Sequence, residues 1–490
     1  MATRALSPTY AALDKELARH GAAIDRAVET FGLPLHVIFK DQVAQSASGY
    51  KEVLGRLYPN SLVLFAVKSN PCRGAVRTAA RLGLGADAAS EHEFRAALEE
   101  GIPAARIVAN GNAKTSRYIE AIVTSGALSS VDNADELEEL SHTAVKRRVQ
   151  APVLVRFRGM PLSGFTADDQ TTAAEWTKFG FSVDEADEVF AQVARAPGLR
   201  FVGISAHVGT QIADPLAYER LAVHMDALAR QALAFGLPLS AIDLGGGYPV
   251  SFVTQAEWAT FQAQLLKRLR VPEGRGRSVT WTDLPMGYDG AEPDADPPAW
   301  VGKAYWSAYP ASAMLEHALT FCHPDGKSTV EHLASLGSPT LVVEPGRSLM
   351  AAAGVTLAEV RGTKSVLDNP VVSLDLGITN HGTNLITNDI FPVVILPRKA
   401  DDVPIDAFLA GRLCLSGDMI SKVKVRLNRA PRPGERAVIY FTGAYSADHF
   451  ASNSCGFPLP AKVAVDGAGR LEVWRRPQRF EDVFGPVGGA

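Results

Sequence analysis

The 490-residue chain is 47% apolar and 21% charged, an ordinary globular composition with length enough for two or more domains. A formal charge of −4 without a long Lys/Arg run excludes the basic balance of a nucleic-acid binder. There is no signal-peptide pattern and no apolar run of membrane-spanning length, and the four cysteines (Cys72, Cys322, Cys414, Cys455) form no CxxC pair. These features predict a cytoplasmic chain with no membrane partner, disulfide framework, zinc or other metal.

In chain order, "LPLHVIF" reads as a first strand that could belong to either domain. Short apolar runs then alternate with amphipathic stretches: "LVLFAVKS" with "CRGAVRTAARLG", "GADAAS" with "EHEFRAALEEG", "RIVANG" with "TSRYIEAIVTSG", and "LSSVDN" with "ADELEELSHTAVKR". Further strands fit "APVLVRFR", "FVGISAHVG", "AIDLGGG" and "TLVVEPG". Runs that are apolar throughout and separated by helices indicate a parallel sheet covered on both faces. Eight of them predict a (β/α)8 TIM-like barrel over residues 41–346, with a doubly wound open sheet as the alternative. The barrel is favoured because polar residues and glycines (Lys68, Ser90, Gly111, His207, Gly245–Gly247, Glu344) follow the strands directly, where a barrel builds its site.

Residues 271–310, rich in Gly, Pro, Asp and aromatics, read as an insertion in that barrel. After residue 347 the texture becomes β-rich: "GVTLAEVRGTKS", "NPVVSLDLG", "IFPVVILPRK", "KVKVRLNR", "RAVIYFTG", "AKVAVDGAG" and "RLEVWRRP". Residues 1–40 and 347–490 are therefore expected to form a mostly β domain.

Lys68 ends an apolar run. A lysine held in a dry barrel mouth loses hydration, so its neutral amine becomes a nucleophile toward an aldehyde. Gly245, Gly246 and Gly247 bare their backbone N–H groups to an anion such as phosphate. Glu344 can hold a ring-nitrogen proton, Arg347 can fork onto an anion, and the imidazole of His207 can stack on a flat ring. The ligand that matches all of these is an aromatic aldehyde with a phosphate arm and a basic ring nitrogen, namely pyridoxal 5'-phosphate.

"FAVKSN", "GADAASEHE", "IVANGNAK", "VDNADELEEL", "TKFGF", "ISAHVGTQ", "DLGGGYP", "EPGRS", "CLSGDMI" and "FTGAY", in this order, resemble the fold type III (alanine-racemase-like barrel) pyridoxal-phosphate-dependent decarboxylases, the group of diaminopimelate and ornithine decarboxylases. The resemblance spans residues 34–465. It implies that Lys68 forms the internal aldimine, His207 stacks on the ring and Glu344 pairs with its nitrogen. It further implies that Gly245, Gly246, Gly247, Arg347, Tyr445 and Thr210 hold the phosphate, and that Asp87 and Glu93 support the cofactor and His207. Cys414 would reach across a homodimer interface as proton donor, in a β domain that completes the shared site.

The substrate side departs from the group. Diaminopimelate decarboxylases typically carry Cys-Glu-Ser-Gly-Asp where this chain has "CLSGD", so Leu415 replaces a glutamate that reads the distal end of the substrate. "DLGITNHGTNLITND" aligns with the stretch that supplies a distal arginine and tyrosine, and offers neither. Leu415 and Asp418, with Arg347 and the polar Asn380, His381, Thr383 and Asn384, are the candidate substrate contacts. They suit an amino acid or derivative less charged, larger or more conjugated than diaminopimelate. A racemase or epimerase on the same cofactor fits the residues as well, although Glu344, rather than an arginine, at the ring nitrogen favours decarboxylation. A catalytically silent decarboxylase-like regulatory binding protein is the third reading.

Overall fold

The computed structural model describes residues 10–162, 172–173, 177–269, 305–366, 368–382 and 391–485. The expected substrate contacts Thr383 and Asn384, and all of the expected insertion before Tyr305, lie outside the described residues.

Strand β1 (Leu35–Phe39) is followed by β2 (Ser61–Ala66), β3 (Gly85–Ala88), β4 (Ile107–Ala109), β5 (Leu128–Val131), β6 (Ala151–Arg158), a two-residue β7 (Phe181–Ser182) beside β6, β8 (Leu199–Ser205), β9 (Ala241–Asp243) and β10 (Thr340–Val343). Strands β2 to β6 pair in sequence and in parallel, β6 continues to β8, β9 and β10, and β10 returns to β2. The ring is thus a closed eight-stranded parallel barrel, and its strands are the eight apolar runs read from the sequence. Leu64, Val108, Leu154, Val202, Ala241 and Val342 form one buried cluster. Since β2 and β6 lie on opposite sides of the ring, these side chains meet in its interior, which is a packed core.

Helix caps fix where the residues after each strand stand. Ser90 accepts the N–H of Glu93 at the start of helix Glu91–Glu99, Thr115 that of Tyr118 before Ser116–Ser125, and Asn133 that of Glu136 before Ala134–Arg147. Each such cap stabilises its helix by about 1 kcal/mol. Each also sets the βα loop to one length, so the intervening residues stay at the strand ends. Backbones approach closely in the wall as well: a Cβ on Gly203 would lie 1.8 Å from the carbonyl oxygen of Ala241.

The β-rich unit contains β11 (Gly354–Val366), β12 (Asn369–Leu374), β13 (Val393–Leu396), β14 (Ile405–Ala410), β15 (Met419–Leu427), β16 (Arg436–Tyr440), β17 (Ala461–Val465) and β18 (Leu471–Arg475). Its sheet runs β15-β14-β12-β11-β1-β17-β18, with β16 joining β11 to β13. β1 therefore belongs to this sheet, antiparallel to β11 and parallel to β17, and its five residues are buried. β14 is a strand the sequence reading did not anticipate. Its "IDAFLA" is short and carries an aspartate as its second residue, and it owes its place to neighbours on both sides, β12 and β15.

The two compact units comprise Ala44–Pro249 with Ala308–Leu349, and Met1–Val43 with Val250–Ser307 and Met350–Ala490. The stretch after Pro249, which the sequence reading places in the barrel, groups with the β-rich unit instead. The physical reason is aromatic: Phe252, after Pro249, meets Phe441, after β16, edge-on at 5.3 Å.

A buried ion cluster ties the β-rich sheet to the loop after β16. Asp448 accepts from Lys462, whose side chain is 1% exposed, and from Arg475 at 2.5 Å. Burial alone would raise the Asp448 carboxyl, but the two cations outweigh it and hold it near 2, against 3.8 for a free aspartate.

Two tests follow from this packing. Gly203→Ala should destabilise the barrel by about 1–3 kcal/mol or more in urea unfolding, because the methyl meets backbone that cannot move aside. Asp448→Asn should cost about 3–5 kcal/mol at neutral pH by leaving buried cations uncompensated. Because the folded carboxyl titrates below the unfolded one, its contribution is complete above about pH 4 and is lost as pH falls through about 2. The gap between wild type and variant should narrow over that window, and a constant gap would refute the assignment.

Candidate active site

Lys68 lies in a single 3-10 turn, Val67–Ser69, directly after β2. The turn is held against the segment after β10, where the N–H of Ala66 donates to Pro345 O at 3.2 Å. Lys68 Nζ donates to the carboxylate of Asp87 at the end of β3, and the pair is unequal in burial: the lysine side chain is 35% exposed and that of Asp87 0%. The expectation of a dry amine is thus corrected. Lys68 is half-buried and ion-paired, because the strand-end turn lifts its ammonium toward the barrel mouth while β3 supplies a counter-charge.

Asn110, after β4, joins this pair to Glu344, after β10. Its Nδ2 donates to Asp87 Oδ1 at 2.7 Å and to Glu344 Oε1 at 2.8 Å. Glu344 is wholly enclosed, and its carboxyl is held well above the usual range by burial first, then by the neighbouring Asp243 and Asp87. Asp243, the last residue of β9, is likewise raised, to about 7, mainly by burial. Glu93 is raised to about 7 by burial, opposed by the N–H of Ala89 that its carboxylate accepts at 2.7 Å. The mouth therefore keeps carboxyls protonated near neutrality, which a group carrying a basic nitrogen could exploit.

His207, after β8, is kept neutral: burial pushes its imidazole well below the ordinary value, and the charges of Lys68 and Arg156 push it further. Its Nδ1 accepts the N–H of Gly209 at 3.1 Å, which leaves the ring proton on Nε2. Thr172 Oγ1 donates to the His207 carbonyl at 2.6 Å and fixes the ring's backbone.

The glycine loop packs against these groups without room for side chains. A Cβ on Gly245 would lie 2.6 Å from Ala206 O, one on Gly246 2.4 Å from Glu344 O and 3.3 Å from His207 Nε2, and one on Gly247 2.8 Å from Gly209 O. Gly245 and Gly247 also adopt φ of +66° and +89°. Among the described residues, no acceptor takes the N–H groups of Gly246 and Gly247. Beneath the loop, buried Tyr218 donates to Gly246 O at 3.3 Å, and Tyr50 bonds Ser348 Oγ at 2.6 Å. Arg347, beside Ser348, reaches Thr210 Oγ1 with Nε and Nη2, both at 3.3 Å.

The barrel thus brings Lys68, Asp87, His207, Thr210, Gly245–Gly247, Glu344 and Arg347 to the C-terminal ends of its strands. Asn110, Asp243, Thr172 and Tyr218 are site residues the sequence reading did not single out. Asn110 and Asp243 did carry a signal, as polar residues at strand ends in "RIVANG" and "AIDLGGG". A buried lysine was also passed over: Lys114 Nζ spends its protons on Gly111 O, Ser130 O and Glu136 Oε1 and so ties the loop after β4 to β5 and to helix Ala134–Arg147.

The remaining candidates stand in the β-rich unit. Cys414 and Leu415 are exposed, Leu415 by 55%, on a loop fastened by Asp418. Asp418 Oδ1 accepts from Ile378 N–H at 2.7 Å and Oδ2 from Leu413 N–H at 2.6 Å. The expectation that Asp418 contacts substrate is thereby revised: both oxygens are engaged with backbone, and the residue is buried. Tyr445 has a left-handed backbone, φ 56°, and meets His449 edge-on at 5.3 Å. Asn380 and His381 are fully buried, and Asn380 Nδ2, Thr379 Oγ1 and both His381 ring nitrogens have no hydrogen-bond partner among the described residues. Burial pushes His381 down to about 3, so its ring is neutral.

Pyridoxal phosphate fits this barrel mouth: a paired amine beside a buried acid, a neutral imidazole, and a side-chain-free loop with two unclaimed N–H groups next to an arginine. The profile of the family described as pyridoxal-dependent decarboxylase, pyridoxal binding domain, matches residues 40–271. The chain is 27% identical to the diaminopimelate decarboxylase of Synechocystis sp. over 94% of its own length and 88% of that protein's. It is 28% identical to the enzyme of the same name from Actinosynnema pretiosum (94% and 91%) and to an uncharacterised protein of Sinorhizobium fredii (96% and 95%). Its fold is shared with diaminopimelate decarboxylase from M. jannaschii in complex with L-lysine (TM-score 0.74, 21% identity, 95% and 94% covered). It is also shared with lysine/ornithine decarboxylase from Vibrio vulnificus complexed with cadaverine (TM-score 0.66, 22% identity, 91% and 98% covered). No helix among the described residues is long and apolar enough to cross a membrane. By these matches the chain carries the pyridoxal-binding domain of the pyridoxal-dependent decarboxylases over residues 40–271 and is a carboxy-lyase that uses pyridoxal phosphate.

Proposed function

We propose that this enzyme removes the α-carboxylate, as CO2, from an amino acid or amino-acid derivative whose distal end is polar but uncharged, and that diaminopimelate is not its substrate. The observation that carries this reading is Leu415, exposed on the Cys414 loop, together with Asp418, whose oxygens are already occupied by backbone. Neither offers a carboxylate to a distal ammonium group. The unpartnered polar atoms of Thr379, Asn380 and His381, in the turn that Asp418 ties to the same loop, offer neutral donors and acceptors. Leaving such atoms unpaired costs about 1–3 kcal/mol each, which favours a partner with uncharged polar groups.

The cofactor, when bound, supplies the aldehyde that condenses with amines and the ring that accepts the electron pair left by CO2. The protein's own residues do the rest. Asp87 holds the Lys68 ammonium in place and accepts its charge. Glu344 offers its proton at the ring-nitrogen position, where positive charge strengthens the electron sink. His207, kept neutral by burial, would stack on the ring without adding charge. Gly246 and Gly247 N–H and Arg347 would bind the phosphate, with Thr210 orienting Arg347. Each turnover consumes one proton at the substrate α-carbon. We assign its delivery to the Cys414 thiol of a second copy in a homodimer, a reading supported by the thiol's exposure on its loop.

Purified protein loaded with pyridoxal phosphate and screened for CO2 release against D- and L-amino acids and conjugated derivatives should favour uncharged polar side chains. If meso-diaminopimelate is the best substrate, the substrate assignment is wrong; α-deuterium exchange without CO2 release would point to racemisation instead. Lys68→Ala should lower turnover by on the order of a thousandfold or more. Leu415→Glu should raise the preference for diaminopimelate over uncharged substrates by about tenfold, measured as the ratio of kcat/KM values.

A further inference from the structure

Lys114 buries a charge that neither the cofactor contacts nor the substrate contacts explain. Its side chain is 0% exposed, and that of its partner Glu136 is 4% exposed. Nζ donates to Gly111 O at 2.9 Å, to Ser130 O on β5 at 2.8 Å and to Glu136 Oε1 at 2.7 Å, so all three ammonium protons are placed. Asp132, after β5, and Arg156, at the end of β6, are the other charges that act on it. Replacing such a pair by apolar packing is often neutral for stability, so the pair is explained by the geometry it fixes. That geometry belongs to the residue before Gly111. Asn110 N–H donates to Ala88 O at 2.8 Å, and its Nδ2 spans Asp87 Oδ1 at 2.7 Å and Glu344 Oε1 at 2.8 Å. The amide has two protons and gives one to each carboxyl. Asp87 is thereby left to meet Lys68 with Oδ2, and Glu344 keeps Oε2 for a further partner.

We propose that Lys114 is a positioning residue for the reaction: by anchoring the loop after β4 to β5 and to helix Ala134–Arg147, it holds Asn110 where one amide clamps Asp87 and Glu344 together, and so fixes the separation between the Lys68 amine and the acid. The proposal rests on the reading of Lys68 and Glu344 as the groups that meet the cofactor's aldehyde carbon and ring nitrogen. In the ring of strands β4 is followed by β3, β2 and β10, so Asn110 reaches over the mouth past two strands to a residue after a third. Hydrogen bonds weaken steeply with small losses of distance and angle, and a side chain that must satisfy two acceptors that far apart needs a fixed backbone. Gly111 gives that backbone its turn, with φ +120° and Ala89 O only 3.1 Å from where a Cβ would stand. Lys114 then pins the Gly111 carbonyl to two neighbouring elements, one residue beyond the amide.

The experiment follows the visible absorbance of the pyridoxal-phosphate-loaded protein from about pH 5 to 9, together with kcat and KM on the best substrate found by CO2 release. The variants are Asn110→Ala, Lys114→Met and the two combined. Because Lys114→Met leaves Glu136 without its counter-charge, Lys114→Met/Glu136→Gln is made alongside, and it decides if the single variant does not fold. Both Lys114 variants should move the midpoint of the absorbance change by about half a pH unit or more, in the same direction as Asn110→Ala. They should lower kcat by about tenfold while KM stays within about threefold. Asn110→Ala/Lys114→Met should match Asn110→Ala alone, since both substitutions break one link. A lowered melting temperature with an unmoved midpoint assigns Lys114 to stability alone and overturns the proposal, as does an additive double variant. Lys68→Ala and Glu344→Gln serve as references: if they alter the spectrum and the Asn110 and Lys114 variants do not, the positioning role falls and the site stands. If neither reference alters it, the site reading falls and takes the positioning role with it.

Discussion

The structure of this enzyme depends on an electrostatic constraint at the barrel mouth, where Asp87, Asp243 and Glu344 are gathered almost without exposure. Carboxylates at such a spacing cannot all be ionised in a poorly solvated site. The strain is met by the Lys68 ammonium on Asp87, by the Asn110 amide bridging Asp87 and Glu344, and by protons retained on the others. Such an arrangement is expensive for a fold to keep and would be replaced by apolar packing if stability were the only demand. In the function we propose its use is chemical: it would present a fixed amine and a fixed acid to the cofactor.

The level at which these groups stand is set by the packing of the strands and the reach of their loops. The strands end at one level because their core side chains meet in one layer, and the helix caps at Ser90, Thr115 and Asn133 limit the slack of the loops. The glycine loop closes over Glu344 and His207 at distances that exclude any Cβ, so its conformation and the placing of the imidazole are one feature. Precision here derives from steric exclusion, which is stiffer than any single hydrogen bond.

On the β-rich unit, Asp418 spends both carboxylate oxygens on the backbone of Ile378 and Leu413, and the Cys414 and Leu415 that precede it are exposed. In the function we propose, this loop and the neutral polar groups beside it read the substrate, so that selectivity would lie on elements other than those that carry the chemistry.

Much of this was legible in the chain itself. Eight apolar runs of strand length, each followed by a helical pattern, determine a parallel barrel, and the order of Lys68, His207, Gly245–Gly247, Glu344 and Arg347 determines the cofactor, because residue type and strand-end position are local properties. Tertiary structure alone decided what depends on distance between strands. It paired Lys68 with Asp87 where a dry amine was expected, brought Asn110 and Asp243 into the site, drew Asp418 into the backbone, gave β14 its neighbours, and moved the stretch after Pro249 to the β-rich unit. Periodicity describes the faces of an element but carries no record of what the fold places opposite it, and at this site the protonation states follow from those opposing groups.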